Sequence, residues 1–328
     1  MEKLFEKKEI MKLLGADKYL ETAISELFFT EKFAYKIKKS VKLDFVDFTK
    51  QSERNRISKE EFRINKKISP SIYLRLIPIA KNNKGDLSVA KKFSGKSMEY
   101  ALQMVYLPAD GCLVNLLSKK QVDKKLVLKL AKTLSNCHKK LKSDKVFLKY
   151  GKKESIKRNL ENVFNLIEGD FDENILSRKE FEDMKNKSRI IFNNSTAIFD
   201  KRWKEKRIQR IHGDLHSENI FMKNEVPYIT DAILPISEWQ YGDYAIDVGA
   251  LAMDLDAYEQ VQLSNVLVNE YAREKKDNSI SKVISFYKLS WALIRFWVNL
   301  LTYKQGKKEA KGKIKLYKNL IFKYLDIR

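Results

Sequence analysis

The sequence predicts an α+β chain of two lobes: a small antiparallel-sheet lobe over residues 1–107 and a mostly helical lobe over 108–328. Three observations predict it. Apolar residues alternate at period two through several stretches of the first hundred residues. Beyond Pro108-Ala109-Asp110-Gly111, a turn-forming run, the spacing of apolar residues becomes helical. A single short strand pair then interrupts the helices. Strands followed by helices, in that order, make an α+β chain rather than an alternating α/β one.

Each element has its own warrant. Residues 2–14 read as a short amphipathic helix. Residues 25–39 read as two strands around Thr30-Glu31-Lys32, with Phe33, Tyr35 and Ile37 on one face and Ala34, Lys36 and Lys38 on the other. Residues 51–68 read as a helix with Phe62, Ile64 and Ile68 apolar and Ser69-Pro70 as its stop. Strands are expected over 73–80 and 100–107, the second with Tyr100, Leu102, Met104 and Tyr106 on one face. Helices follow over 122–142, 152–168, 173–206, 245–273, 279–303 and 307–325. The embedded hairpin has strands 219–222 and 226–230 around Lys223-Asn224-Glu225.

Composition sets limits on function. With 44% hydrophobic residues in 328, the chain can bury a real core. The most apolar window, 289–301, contains Arg295 and falls short of the ~20 residues a membrane span requires. The N-terminal residues carry no secretory pattern. Cys112 and Cys137 form no CxxC and no zinc-type cluster, so a reducing cytoplasm is the expected setting. The net charge is +22, from 65 basic and 43 acidic residues. Because lysines are scattered rather than gathered into an arm, they read as solvated helix faces and argue against dedicated nucleic-acid binding.

The richest stretch is His212-Gly213-Asp214-Leu215-His216-Ser217-Glu218-Asn219, followed twelve residues later by Asp231. Asp214 and Asn219 lie on one loop, and Asp231 closes the short hairpin. Phosphoryl transfer needs that set: a carboxylate to orient the attacking hydroxyl, and an amide plus a carboxylate to hold Mg²⁺ against ATP. Asp214 is the candidate catalytic carboxylate, and Asn219 and Asp231 are the candidate metal ligands. Mg²⁺ accepts few protein oxygens when phosphates supply the others.

Together with Tyr241-Gly242-Asp243-Tyr244-Ala245-Ile246-Asp247-Val248-Gly249, this stretch resembles the aminoglycoside phosphotransferase and choline-kinase-like branch of the protein-kinase-like superfamily. Glu21-Thr22-Ala23-Ile24-Ser25, Ile68-Ser69-Pro70 and Met253-Asp254-Leu255 bring it nearer to a poorly characterised bacterial subgroup. The resemblance runs from about residue 15 to 275. It implies an ATP- and Mg²⁺-dependent enzyme that phosphorylates a hydroxyl of a small molecule. It further implies that Asp247 supports the catalytic loop, that His212 and His216 shape it, and that Lys36 contacts the nucleotide phosphates. Lys38, on the same strand face, stays open as an alternative. The partner of that lysine would be Glu61, with Glu60 as the alternative, and Met104, Val105, Tyr106 and Leu107 would form the hinge that meets adenine.

Two departures favour a rival reading, a catalytically impaired nucleotide-binding or basic scaffold protein. The nucleotide-covering loop, near 22–30, has no glycine, which leaves the Thr22 and Ser25 hydroxyls to meet phosphate. An acid that the subgroup carries three residues after the metal Asp is Leu234 here, with Glu238 as a substitute. A protein kinase is disfavoured because no activation segment is evident. The run Ala90-Lys91-Lys92-Phe93-Ser94-Gly95-Lys96-Ser97 imitates a P-loop but lacks the following helix, and reads as a hairpin turn. Residues 279–328 hold two acids, Glu309 and Asp326, against twelve Lys and Arg, so the acceptor is expected to be neutral or anionic rather than polycationic. Trp291, Phe296 and Trp297 read as core ahead of a binding wall.

Overall fold

A computed structural model describes residues 5–43, 46–81, 86–90, 98–141, 145–232 and 237–326. A first helix, α1 (Lys7–Leu14), precedes strands β1 (Lys18–Glu21), β2 (Ser25–Phe29), β3 (Phe33–Lys38), β4 (Lys42–Leu43) and β5 (Val46–Asp47). After α2 (Gln51–Ile68) come β6 (Tyr73–Lys81), β7 (Leu87–Val89) and β8 (Met98–Val105). The sheet order is β1-β2-β3-β8-β6-β7, with every pair antiparallel.

Both faces of this sheet are covered. On one, Tyr35, Ile37, Ile77 and Ile79 pack with Ile10 of α1. On the other, Ala34, Leu102 and Met104 pack with Tyr73 and the flank of α2. This explains a departure from the sequence pattern: Lys38, on the polar face of β3, is buried under α2 rather than solvated.

The helical lobe begins with α3 (Leu113–Ser118), α4 (Lys124–Lys140), α5 (Lys153–Gly169) and α6 (Arg178–Lys204). Its strands are β9 (Ile208–Arg210), β10 (Ile220–Lys223), β11 (Val226–Ile229) and β12 (Tyr241–Asp243), with β10 pairing β11 and β9 pairing β12. The remaining helices are α7 (Ala245–Ala257), α8 (Val261–Lys275), α9 (Ile284–Lys304) and α10 (Ala310–Leu325). The expected single helix over 245–273 is therefore two. The chain turns at Tyr258–Gln260, where Glu259 takes φ +61° without any Gly or Pro to announce it.

Helix α7 is buried almost throughout, its three aspartates included. Val248, Leu251 and Leu255 join a cluster with α4 and α8, while Ala250 and Met253 join a second with α5, α6, α9 and α10. Trp291 and Phe296 belong to that second core. Gly249 lets α9 approach, since a Cβ there would lie 2.6 Å from Tyr287 Cβ. Both cysteines are free and buried. Among the described residues, no helix is long and apolar enough to cross a membrane. The P-loop imitation lies outside the described residues from Lys91 to Ser97; its flanks, β7 and β8, each pair with β6, which lies between them, so they do not form the hairpin expected from the sequence.

Candidate active site

The sheet lobe contributes an ion cluster. Lys36 and Lys38 share a face of β3, and both reach Glu61 of α2: Lys36 Nζ is 2.9 Å from Oε1 and Lys38 Nζ 2.7 Å from Oε2. The two lysines left as alternatives thus hold one carboxylate together. Glu60 points elsewhere, toward Arg63 and Arg210. Burial raises the Glu61 carboxyl, but the two ammonium groups outweigh it and keep Glu61 ionised. For Lys38, burial prevails and lowers its pKa. For Lys36 burial also opposes the charge, yet Asp231 and Glu61 overcome it and raise the pKa.

Lys36 also spans the lobes. Its Nζ lies 3.0 Å from Asp231 Oδ1, 195 positions away in sequence. Asp231 follows the β10–β11 hairpin at φ +59°, a left-handed conformation that Asp adopts more readily than most residues. It is fixed from the sheet side: its N–H donates to Tyr73 Oη at 2.8 Å, Ala232 N–H donates to Asn65 Oδ1 at 2.8 Å, and Ser69 Oγ donates to Ile229 O at 2.7 Å. Tyr73 Oη donates in turn to Asp231 Oδ1 at 3.3 Å.

The catalytic-loop segment runs from β9 to β10. Gly213 takes φ +82°, and a Cβ there would stand 2.2 Å from Trp239 O, so only glycine fits. His212 uses both ring nitrogens on backbone: Nε2–H donates to Thr230 O at 2.8 Å, and Nδ1 accepts from Asp214 N–H at 3.3 Å. Burial lowers its pKa and keeps it neutral. Asp247 of α7 accepts from His212 N at 2.7 Å and Gly213 N at 3.0 Å. Its Oδ2 also meets His138 Nε2 at 2.8 Å, and His138 Nδ1 lies 2.5 Å from Tyr271 Oη. His138 was not foreseen; one His on an otherwise ordinary amphipathic helix gives no periodic signal.

Asp214 sits beside His216, whose Nε2 is 3.6 Å from Oδ2. Burial raises the Asp214 carboxyl, but His216, His212 and Arg295 hold it below the usual range, so it is a carboxylate at neutral pH. Asn219 donates through Nδ2 to Asp214 O at 2.9 Å, leaving its amide oxygen free to accept. Among the described residues, Asp231 Oδ2 likewise makes no hydrogen bond, and no group of three or more His, Cys, Asp or Glu could enclose a metal. Two hard oxygens with open positions suit a cation completed by another molecule's oxygens. The expected hinge residues, Met104 to Leu107, end β8 and leave the sheet, with Tyr106 N–H donating to Lys32 O at 2.9 Å.

Of the glycine-free stretch 22–30, residues 22–24 are the tip of the β1–β2 hairpin and 25–29 are strand β2 rather than loop. Thr22 Oγ1 is used within the turn, accepting from Ser25 N–H at 3.0 Å and donating to Ser25 O at 3.0 Å; Ser25 Oγ accepts from Lys38 at 3.4 Å. Leu234 and the side chain of Glu238 lie outside the described residues.

No protein-family model matches the chain. Uncharacterised proteins of Mycobacterium tuberculosis and Mycobacterium bovis are 24% identical over 281 residues, covering 84% of this chain and 53% of theirs. The chain thus spans about half the length of the curated relatives it matches. Among solved structures, choline kinase from Cryptosporidium parvum covers 94% of this chain and 88% of its own, at 11% identity and a TM-score of 0.55. A glucosamine kinase covers 95% and 77%, at 8% identity and a TM-score of 0.50. With its six-stranded antiparallel sheet, helical second lobe and embedded hairpin, the chain has the two-lobed protein-kinase-like fold that these small-molecule kinases share.

Proposed function

We propose that this protein is an ATP- and Mg²⁺-dependent phosphotransferase that moves the γ-phosphate to a hydroxyl of a small, neutral or anionic molecule. The boundary between its nucleotide lobe and its acceptor lobe would fall at 107/108. The observation that carries the reading is the Lys36 bridge. One ammonium group joins Glu61 of the sheet lobe to Asp231 beyond the hairpin, bringing together residues singled out for phosphate and for metal.

In this reading Lys36, with Glu61 behind it, receives the phosphates, and residues 104–107 meet the adenine. Asp231 Oδ2 and the Asn219 amide oxygen would hold Mg²⁺, which supplies charge neutralisation to the phosphates when bound. Asp214, ionised and fixed by the loop, accepts a hydrogen bond from the acceptor hydroxyl and aims it. His212 keeps Asp214 N–H and Thr230 O in register. The acceptor class is supported by Glu218, which is already paired with Arg295 at 3.1 Å and Lys313 at 2.6 Å and so offers little to a polycation.

A second reading, a nucleotide-binding or basic scaffold without turnover, draws on the β1–β2 tip, where the Thr22 hydroxyl is consumed in the turn. One experiment separates them. ATP is titrated calorimetrically into the wild type and Asp231→Ala, with and without Mg²⁺. Mg²⁺-dependent binding lost in Asp231→Ala supports the kinase reading and licenses a screen of hydroxyl acceptors with Asp214→Ala as the dead control. No binding at millimolar ATP overturns the kinase reading. Binding without turnover on any acceptor favours the scaffold.

A further inference from the structure

Two carboxylates of α7, Asp247 and Asp254, stand seven positions apart, two helical turns along one face. Asp247 accepts the N–H groups of His212 and Gly213, and Asp254 Oδ2 accepts Ser217 N–H at 2.6 Å. Asp214 lies between these two attachments. The loop therefore runs alongside α7, fastened upstream and downstream of the carboxylate assigned to the acceptor hydroxyl.

Asp254 is 1% exposed. Its second oxygen accepts the Tyr317 hydroxyl of α10 at 3.4 Å, and among the described residues no cation forms an ion pair with it. Its hydrogen-bond donors are neutral, and the positive charge of Arg295 acts on it without forming an ion pair. An apolar side chain in place of Asp254 would leave Ser217 N–H unpaired. The next loop residue, Glu218, reaches Arg295 of α9 and Lys313 of α10. The last two helices thus grip the same end of the loop that Asp254 fastens.

We propose that Asp254 is a positioning residue for phosphoryl transfer: it fixes the downstream end of the 212–219 segment through Ser217 N–H, and Tyr317 ties that attachment to α10. The proposal rests on the phosphotransferase reading above. A carboxylate serving stability alone would, when removed, lower the unfolding temperature and leave turnover per folded molecule unchanged.

The test compares the full-length wild type, Asp254→Asn, Asp254→Ala and Tyr317→Phe, well below their unfolding temperatures. It measures the MgATP dissociation constant by calorimetry and the rate of MgATP hydrolysis with water as acceptor. Asp254→Ala is expected to lose about 100-fold in kcat, the scale of a misplaced catalytic group, with MgATP affinity within about twofold of wild type. Asp254→Asn, which keeps an oxygen for Ser217 N–H, should lose about fivefold, and Tyr317→Phe about threefold. A kcat within about twofold of wild type for Asp254→Ala overturns the proposal. Should Asp254→Ala not fold, unchanged kcat in both other variants overturns it equally. If the wild type binds no MgATP the phosphotransferase reading fails on its own, and there, as where it binds without hydrolysing, hydrogen exchange decides the anchoring. Asp254→Asn must then speed exchange of the Ser217 amide and leave the Gly213 amide as it was; an unchanged Ser217 amide overturns the anchoring.

Discussion

Glu61 in the sheet lobe is held by two ammonium groups, Lys36 at 2.9 Å and Lys38 at 2.7 Å. Asp247 and Asp254 in the helical lobe are held by backbone N–H groups, an imidazole and a phenol. The first arrangement is a balance of charges, with Lys36 shared between Glu61 and Asp231. A ligand that brings its own charge can redistribute it. The second has no spare ion to exchange, so it fixes distances. In the proposed reading, one lobe is arranged to respond to a nucleotide and the other to hold a geometry whatever is bound.

The comparison breaks most visibly if Asp247 is removed. Asp247→Ala strands two N–H groups and His138 in the core, and should destabilise the protein by about 3 kcal/mol or more in denaturant melts. A loss under ~1 kcal/mol would show that the loop does not depend on α7. Gly213→Ala should follow at about 2 kcal/mol, since φ +82° and the Trp239 carbonyl at 2.2 Å both exclude a methyl group. Retention of full stability there would mean that the loop tolerates another path.

Lys38→Met tests the ion cluster of the sheet lobe. With Lys38 gone, Lys36 alone must neutralise Glu61 and is less free for phosphate, so MgATP affinity should fall by about tenfold in calorimetry. A loss as large as that of Lys36→Met would reverse the assignment of Lys36 and Lys38. The smallest effect is in pH. Burial opposes ionisation of Asp277, but Ser279, Tyr244 and Arg202 hold its carboxyl at about 2, below its ordinary 3.8. A depressed folded-state pKa gives stability that is present above about pH 4 and lost as pH falls toward 2. Asp277→Asn should therefore lower the unfolding temperature across the neutral range and flatten the acid limb, the two profiles converging as pH falls toward 2.

How much of this was legible depended on periodicity. Helix α2 has the bounds its sequence predicted, 51–68, because an amphipathic pattern and Ser69-Pro70 marked both its face and its end. The hairpin and the loop before it were legible from the spacing of Asp214, Asn219 and Asp231. Strands β9 and β12 were not, since three residues carry no measurable alternation. Asp254 stood in Met253-Asp254-Leu255 without a role, because three aspartates distributed along α7 mark no single polar face and only packing shows what each one meets. The joint duty of Lys36 and Lys38 was equally hidden: a strand face shows that two side chains point together, and only packing shows what they meet.

The seven-residue interval between Asp247 and Asp254 also restricts how the gene can drift in length. One residue inserted into that interval would swing the second carboxylate by about 100° around the helix, and one inserted between Gly213 and Ser217 would carry its amide away. Substitutions across this region have alternatives; insertions and deletions have none unless they occur in pairs. The exposed turn at 119–121, between α3 and α4, is under no such constraint, and comparisons of related chains should show gaps gathering there and sparing both intervals.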